Sequence, residues 1–435
     1  MKFQPGSLCI PLMQAYESVA PPAAKPEPVV APKTSAAPSV PPAPAPVRVA
    51  SLDAYRGFVM LLMMGPVLGF ATMAKTLPQN KLFAFLGHHQ THVEWAGGSL
   101  HDLIQPSFSF IVGVALPFSI MARMARGHTQ GKLAAHAFFR AFILILLGAF
   151  LASVDQPMTV FRFGDTLSQI GLGYGFLFLL GFRPVRDQWI VFAVILVGYW
   201  LAFALYPLPG PNFDYAKVGV TSDWLSQNGF RGFAAHWNKN SNFAWHFDTW
   251  FLNQFPRVKT YEYNEGGYTT LNFIPTLATM ILGLIAGEVL RGDRAPMRKV
   301  MWLAIAGVVA LAAGWALGEF GICPVVKRIW TPSWVLYSGG WCLLLMAAFY
   351  LVMDVWKVRG WAFPLVVIGL NSIAAYCMSH LIKGFIRSTL LIHFGKNTFL
   401  AMGEACQPLL MGAATLLVLW LILFWMYRRK IFLRI

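Results

Sequence analysis

Charge is scarce in this chain. Only 12% of its 435 residues are Asp, Glu, Lys or Arg, about half the share of a soluble protein. With 57% hydrophobic residues beside it, that shortfall excludes a wholly water-soluble globule. Long apolar runs recur instead. Runs of about 20 such residues suit membrane-crossing helices and not the alternating strands of a barrel. Cysteine is also scarce: Cys9, Cys323, Cys342, Cys377 and Cys406 are the five present. None stands in a CxxC or other metal-ligand spacing. Cys342 and Cys377 fall in apolar runs and read as small buried hydrophobes. Cys323 and Cys406 share the predicted outer side, where they could pair. There is no Asn-x-Ser/Thr sequon, so the sequence carries no glycosylation signal.

Acidic residues are the scarcer sign, 18 against 34 basic, for a net charge of +16. In a soluble protein that excess would suggest nucleic acid. Here the basic residues cluster in short turns between apolar runs, as membrane orientation requires. No nucleic-acid partner is expected; the partner is the lipid bilayer.

Residues 1–49 read as a tail, nearly all Ala, Pro, Val and Lys from Val19 onward. Such composition cannot bury a core and favours extended chain. Its apolar start is too short and proline-broken for a secretory signal. A disordered cytoplasmic tail is predicted, followed by a membrane domain over residues 50–435. That domain is predicted as an all-α bundle of about ten transmembrane helices. The spans fall near Phe58–Met73, Leu103–Met121, Ala134–Val154, Thr166–Phe182 and Trp189–Tyr206. The other five fall near Leu271–Leu290, Val300–Leu317, Trp334–Met353, Phe363–Leu381 and Leu409–Tyr427. The turns after every second span hold most of the Lys and Arg. Both termini are therefore predicted in the cytoplasm, with the His88–His101 loop and the 207–268 loop outside. Lys327, Arg328, Lys383, Arg387 and Lys396 run against that rule. A bacterial inner membrane is the expected location.

The densest chemistry lies in HHQTHVEWAGGSLHDLIQPSF, His88–Phe108. Titratable groups at a bilayer edge are expensive to hold and usually functional. His88, His89, His92 and His101 could bind a metal, but no thiolate supports it and no metal is expected. General-base or nucleophilic work needs a histidine oriented by a carboxylate, and Glu94 or Asp102 could supply one. The bland alternative is a solvated loop anchored by Trp95. Three other features carry two readings each. Leu52–Gly57 (LDAYRG) is either a helix start, capped by Ser51 or Asp53 with Arg56 as an orientation charge, or a place where Arg56 meets a phosphorylated cosubstrate. The loop tryptophans Trp224, Trp237, Trp245 and Trp250 form an interfacial belt, which is favoured, or stack on sugar rings. Asn371 and Ser372, inside the ninth span, bond neighbouring helices or line a cavity.

Four segments resemble the heparan-alpha-glucosaminide N-acetyltransferase family of transmembrane acyltransferases. They are Leu52–Gly57; His92, Trp95, Gly97, Asp102 and Pro106; NEGGYTTLNFIPTLATMILGLIAGE; and GICPVVKRIWTPSWVLYSGG with PLVVIGLNSIAAY beyond it. Together they cover residues 50 to 380 in the family's order. The chain departs at Val67, where the family has Asn, and at Leu167–Ser168–Gln169, where it has an LQR-type motif. The resemblance implies transfer of an acetyl group from acetyl-CoA, a cosubstrate and not a covalent cofactor, to an extracytoplasmic amino sugar or other glycan. It implies catalysis at His92, with Asp102 or Glu94 as its orienter. Arg56 and Asn371 are the expected cosubstrate contacts, and Trp95, Trp245 and Trp250 the expected acceptor contacts. A homodimer is an open option. Two other functions stay open: a small-anion or sugar transporter with a histidine proton relay, and a non-catalytic member of the fold.

Overall fold

A computed structural model describes residues 49–433. The predicted tail lies outside the described residues. Among the described residues, eight helical stretches are long and apolar enough to cross a membrane, or nine with a bent pair taken as one span. They are built on α1 (Ala50–Met64), α4 (Ile104–Met124), α5 (Gln130–Ser153), α7 (Val185–Ala204), α10 (Phe273–Arg291), α11 (Pro296–Glu319), α12 (Pro332–Tyr350) and α16 (Gln407–Arg428). The bent pair is α13 (Phe363–Leu370) and α14 (Ser372–Leu381), turned by 69°. Where the fourth span is predicted stands α6 (Thr166–Leu180), only 15 residues long. Every predicted span thus has a helical counterpart, and the molecule is an all-α polytopic membrane protein. Among the described residues the only β pairing is an isolated bridge between Ala96 and Val326.

The first span differs from its predicted bounds. Its helix starts at Ala50 and takes in all of LDAYRG. The N-cap is Val49, with no side-chain cap, so neither Ser51 nor Asp53 is the predicted capping residue. Ser51 is fully buried and gives its N–H and hydroxyl to Asp354 Oδ2 beyond α12. After Gly65 the chain forms α2 (Phe70–Thr76) and α3 (Lys81–His89), a helical hairpin leading into the histidine loop. The ninth span is not continuous: Asn371 (φ −123°, ψ 40°) breaks it. A further helix, α15 (Lys383–Thr398), carries Lys383, Arg387 and Lys396.

α10 is the central staff, with 78% of its apolar window buried. It meets α4 backbone to backbone. A Cβ added at Gly283 would sit 2.0 Å from Phe110 O, and one at Gly113 would sit 1.9 Å from Met280 O. Small residues permit this approach, which is how helices bind each other where lipid gives no hydrophobic drive.

The 207–268 region is a folded cap and not an open loop. It forms α8 (Ser222–Asn228) and α9 (Phe243–Phe251) joined by short 3-10 turns. Trp237 is fully buried and stacks on Phe203 of α7, rings 6.3 Å apart and nearly parallel. It therefore does not serve the predicted interfacial belt. Trp250 is 61% exposed. Cys323, Cys342, Cys377 and Cys406 are all free thiols, so the pairing open to Cys323 and Cys406 is not formed.

Candidate active site

The site is assembled by clamping a non-helical loop between the α3 end and α4. Gln90 caps α3 and ties it to α1–α2: its Oε1 accepts from Phe70 N at 2.8 Å and its Nε2 donates to Gly65 O at 2.6 Å. The loop then crosses the 323–331 segment. Gly97 N donates to Val325 O at 2.9 Å beside the Ala96–Val326 bridge. Trp95 is 1% exposed and gives its indole N–H to Trp237 O, pinning the loop under the cap. Ser99 Oγ closes it by donating to Thr91 O.

Asp102 is the hub. Its Oδ2 accepts from Val93 N at 3.2 Å and Ser99 N at 3.0 Å. Its Oδ1 meets His92 Nδ1 at 2.7 Å and Lys327 Nζ at 3.1 Å. So many donors on one buried carboxyl require an ionised acceptor. A carboxylate only accepts, so His92 Nδ1 is the donor in this contact. The Asp102 side chain is 1% exposed and that of His92 39%. The dyad thus buries its carboxylate and leaves its imidazole partly open. The His101 ring lies 4.5 Å from that of His92.

Lys327 supplies the opposing charge from the 323–331 segment, its side chain 5% exposed. Burial pulls its ammonium below the ordinary lysine value, while Asp102 holds it up. Arg328 beside it donates to Gly266 O and Val93 O and stacks over Tyr268, joining loop, cap and segment. Sequence reasoning placed no chemistry on Lys327. The signal was there: a lysine on the side the positive-inside rule leaves poor in cations needs a local anion.

The other predicted residues stand elsewhere. Glu94, two residues from His92, turns away and accepts from Trp224 Nε1 at 3.4 Å, with Lys239 over the same indole. Trp95 is packed into the protein and offers no open ring face. Trp245 donates to Glu262 O and is half-buried. Trp250 lies open against Phe247. Arg56 pairs with Asp53 at 3.4 Å. Asn371 is fully buried, its amide donating to Ile431 O and accepting from Leu433 N. His89 Nδ1 accepts from Leu100 N at 3.2 Å, a loop-positioning contact. Of the two departures, Val67 lies in a 3-10 turn, where Gly412 approaches its carbonyl, and Gln169 is buried, donating to Thr270 O.

Fold and site together define an integral membrane protein with a carboxylate-held histidine and a buried lysine at one end of its bundle. No family model matches the chain. It is 24% identical over 435 residues to human (Homo sapiens) heparan-alpha-glucosaminide N-acetyltransferase, an alignment covering 90% of this chain and 60% of that protein. The Mus musculus protein of the same name is 23% identical over 428 residues, covering 89% and 60%. The chain is a relative of that family, and spans about 60% of the length of the curated relatives it matches.

Proposed function

We propose that the protein transfers an acetyl group from acetyl-CoA to an amino sugar or other glycan on the histidine-loop side of the membrane. The observation carrying this reading is the 2.7 Å contact between His92 Nδ1 and Asp102 Oδ1, on a histidine whose side chain is 39% exposed. An imidazole so held is placed to act as a general base. Nε2 takes the proton of the acceptor's N–H or O–H as that atom attacks the thioester carbonyl. The C–S bond breaks, and the CoA thiolate leaves with the proton that His92 returns. Asp102 fixes the ring and stabilises the imidazolium, and Lys327 balances Asp102. Glu94, with Trp224 and Lys239, forms a polar shelf beside the dyad that suits a hydroxylated acceptor, with Trp245 and Trp250 further along the cap. Arg56 and Asn371 are proposed to meet CoA. For Asn371 that requires the 431–433 segment to release its amide. Both termini are proposed to be cytoplasmic, in a bacterial inner membrane.

Heat protection tests the cosubstrate. A ligand that binds only the native state, at about 100 times its dissociation constant, adds about 2.7 kcal/mol. Millimolar acetyl-CoA is expected to raise the melting temperature. An unmoved transition, together with gradient-coupled uptake of a sugar or anion without CoA, overturns the acyltransferase reading in favour of transport.

A further inference from the structure

Arg140 sits inside the α5 span. It is the eleventh residue of α5, about 15 Å along the axis from Gln130 at 1.5 Å per residue. Phe138, Phe139, Phe142 and Phe150 around it are exposed on the apolar surface. The charges at the α4–α5 turn, Arg126 and Lys132 among them, orient the chain and need no further account. Arg140 lies too far up the span for that role. Among the described residues no carboxylate comes within ion-pair distance of it. Its side-chain partner is Tyr174 of α6, whose hydroxyl takes Nη1 at 3.4 Å and whose ring lies 5.0 Å from the guanidinium. Its Nε is buried with no hydrogen-bond partner.

A second arginine and a histidine stand near it. Arg123 and Tyr174 line a narrow recess between α4, α5 and α6, together with Ser119 and apolar residues. His136 stands one turn before Arg140 on α5, at i and i+4 on one side of the helix. A cation inside a span almost always has a partner, and its placement marks a functional site. Arginine with unused N–H donors selects a planar or tetrahedral oxyanion.

We propose that Arg123 and Arg140 together bind a phosphate ester anion at the mouth of this recess, with His136 and Tyr174 beside them. Two sources carry that group: the headgroup of an anionic phospholipid, and the phosphates of CoA. The second rests on the acyltransferase reading; the first does not.

The test uses the full chain in nanodiscs of phosphatidylcholine, with or without phosphatidylglycerol. CoA affinity is measured by titration, and retained phosphatidylglycerol by native mass spectrometry. Arg123→Gln and Arg140→Gln are each expected to weaken one of the two by about tenfold to a hundredfold, the range for hydrogen bonds to charged groups. Loss of CoA affinity with phosphatidylglycerol retention unchanged assigns the site to CoA. Loss of phosphatidylglycerol retention assigns it to lipid, and stands even if the protein never binds CoA. Arg140→Lys keeps the charge and is expected to keep part of the affinity. Should Arg140→Gln fail to fold, Arg123→Gln at the rim of the recess decides. Unchanged CoA affinity and unchanged phosphatidylglycerol retention in a folded Arg123→Gln protein overturns the proposal.

Discussion

Lys327 Nζ lies 3.1 Å from Asp102 Oδ1 and the same distance from His92 Nδ1. The lysine and the histidine therefore compete for one carboxylate oxygen. A buried charge left without its partner costs about 3–5 kcal/mol. Lys327→Met should lose stability on that scale. It should also lower the kcat of acyl transfer more than it changes KM, and Lys327→Arg should recover part of that loss. An unchanged kcat in folded Lys327→Met protein would show that the lysine only packs.

Asp248 predicts a pH dependence of stability. It is 1% exposed, its Oδ2 accepts from Thr270 N at 2.9 Å, and its Oδ1 has no partner. Burial pushes its carboxyl up to about 7, against about 3.9 in an unfolded chain. The folded state thus holds the proton more tightly. The stabilisation is fully present below about pH 4 and is lost as pH rises through about 7. Melting temperatures from pH 5 to pH 8 should fall for the wild type and fall less for Asp248→Asn. Parallel curves would remove Asp248 as the cause.

Packing gives a sharper contrast. Gly283 has no room for a methyl group against Phe110 O, whereas a Cβ at Gly198 of α7 meets nothing within 4 Å. Overpacking costs about 1–3 kcal/mol, and here the obstacle is backbone. Gly283→Ala should lower thermal stability clearly, and Gly198→Ala should leave it near wild type. Equal melting temperatures for the two would contradict the central α4–α10 contact.

The spans were legible because each is an apolar run bounded by charge, and their helical bounds fall within a few residues of the pattern in most cases. Ser51 shows where pattern fails. Its partner Asp354 is about 300 positions away, and hydropathy carries no information about such pairs. The break at Asn371 was hidden for a related reason: one polar residue in an apolar run reads equally as packing or as a kink. At the candidate site, the motif held His92 and Asp102, ten residues apart. Glu94 looked the nearer orienter along the chain, but the clamp of the loop onto Val325 and Trp237 turns it outward. Lys327 comes from another segment entirely, and only folding brings it in.

The proposed orientation rests on the basic turns. Gln79 in the α2–α3 turn and Gln130 at the start of α5 are both exposed. Gln90 is a poor probe site because its amide joins Phe70 to Gly65. In a chain whose own cysteines are replaced, an impermeant thiol reagent added to intact cells should label Gln79→Cys and spare Gln130→Cys. The reverse pattern would invert the topology.

The account rests on His92, and acyl transfer by single histidine variants tests it most directly. His92 alone pairs through Nδ1 with Asp102 and keeps a partly open ring, whereas His89 is used to hold Leu100 and His88 makes a ring contact with His89. Loss of a general base lowers rate by about two to four orders of magnitude. His92→Ala should therefore abolish transfer from labelled acetyl-CoA while keeping the heat protection that CoA gives, and His88→Ala should lose less than about tenfold. Near-normal transfer by His92→Ala, with His101→Ala or His89→Ala inactive, would contradict the account.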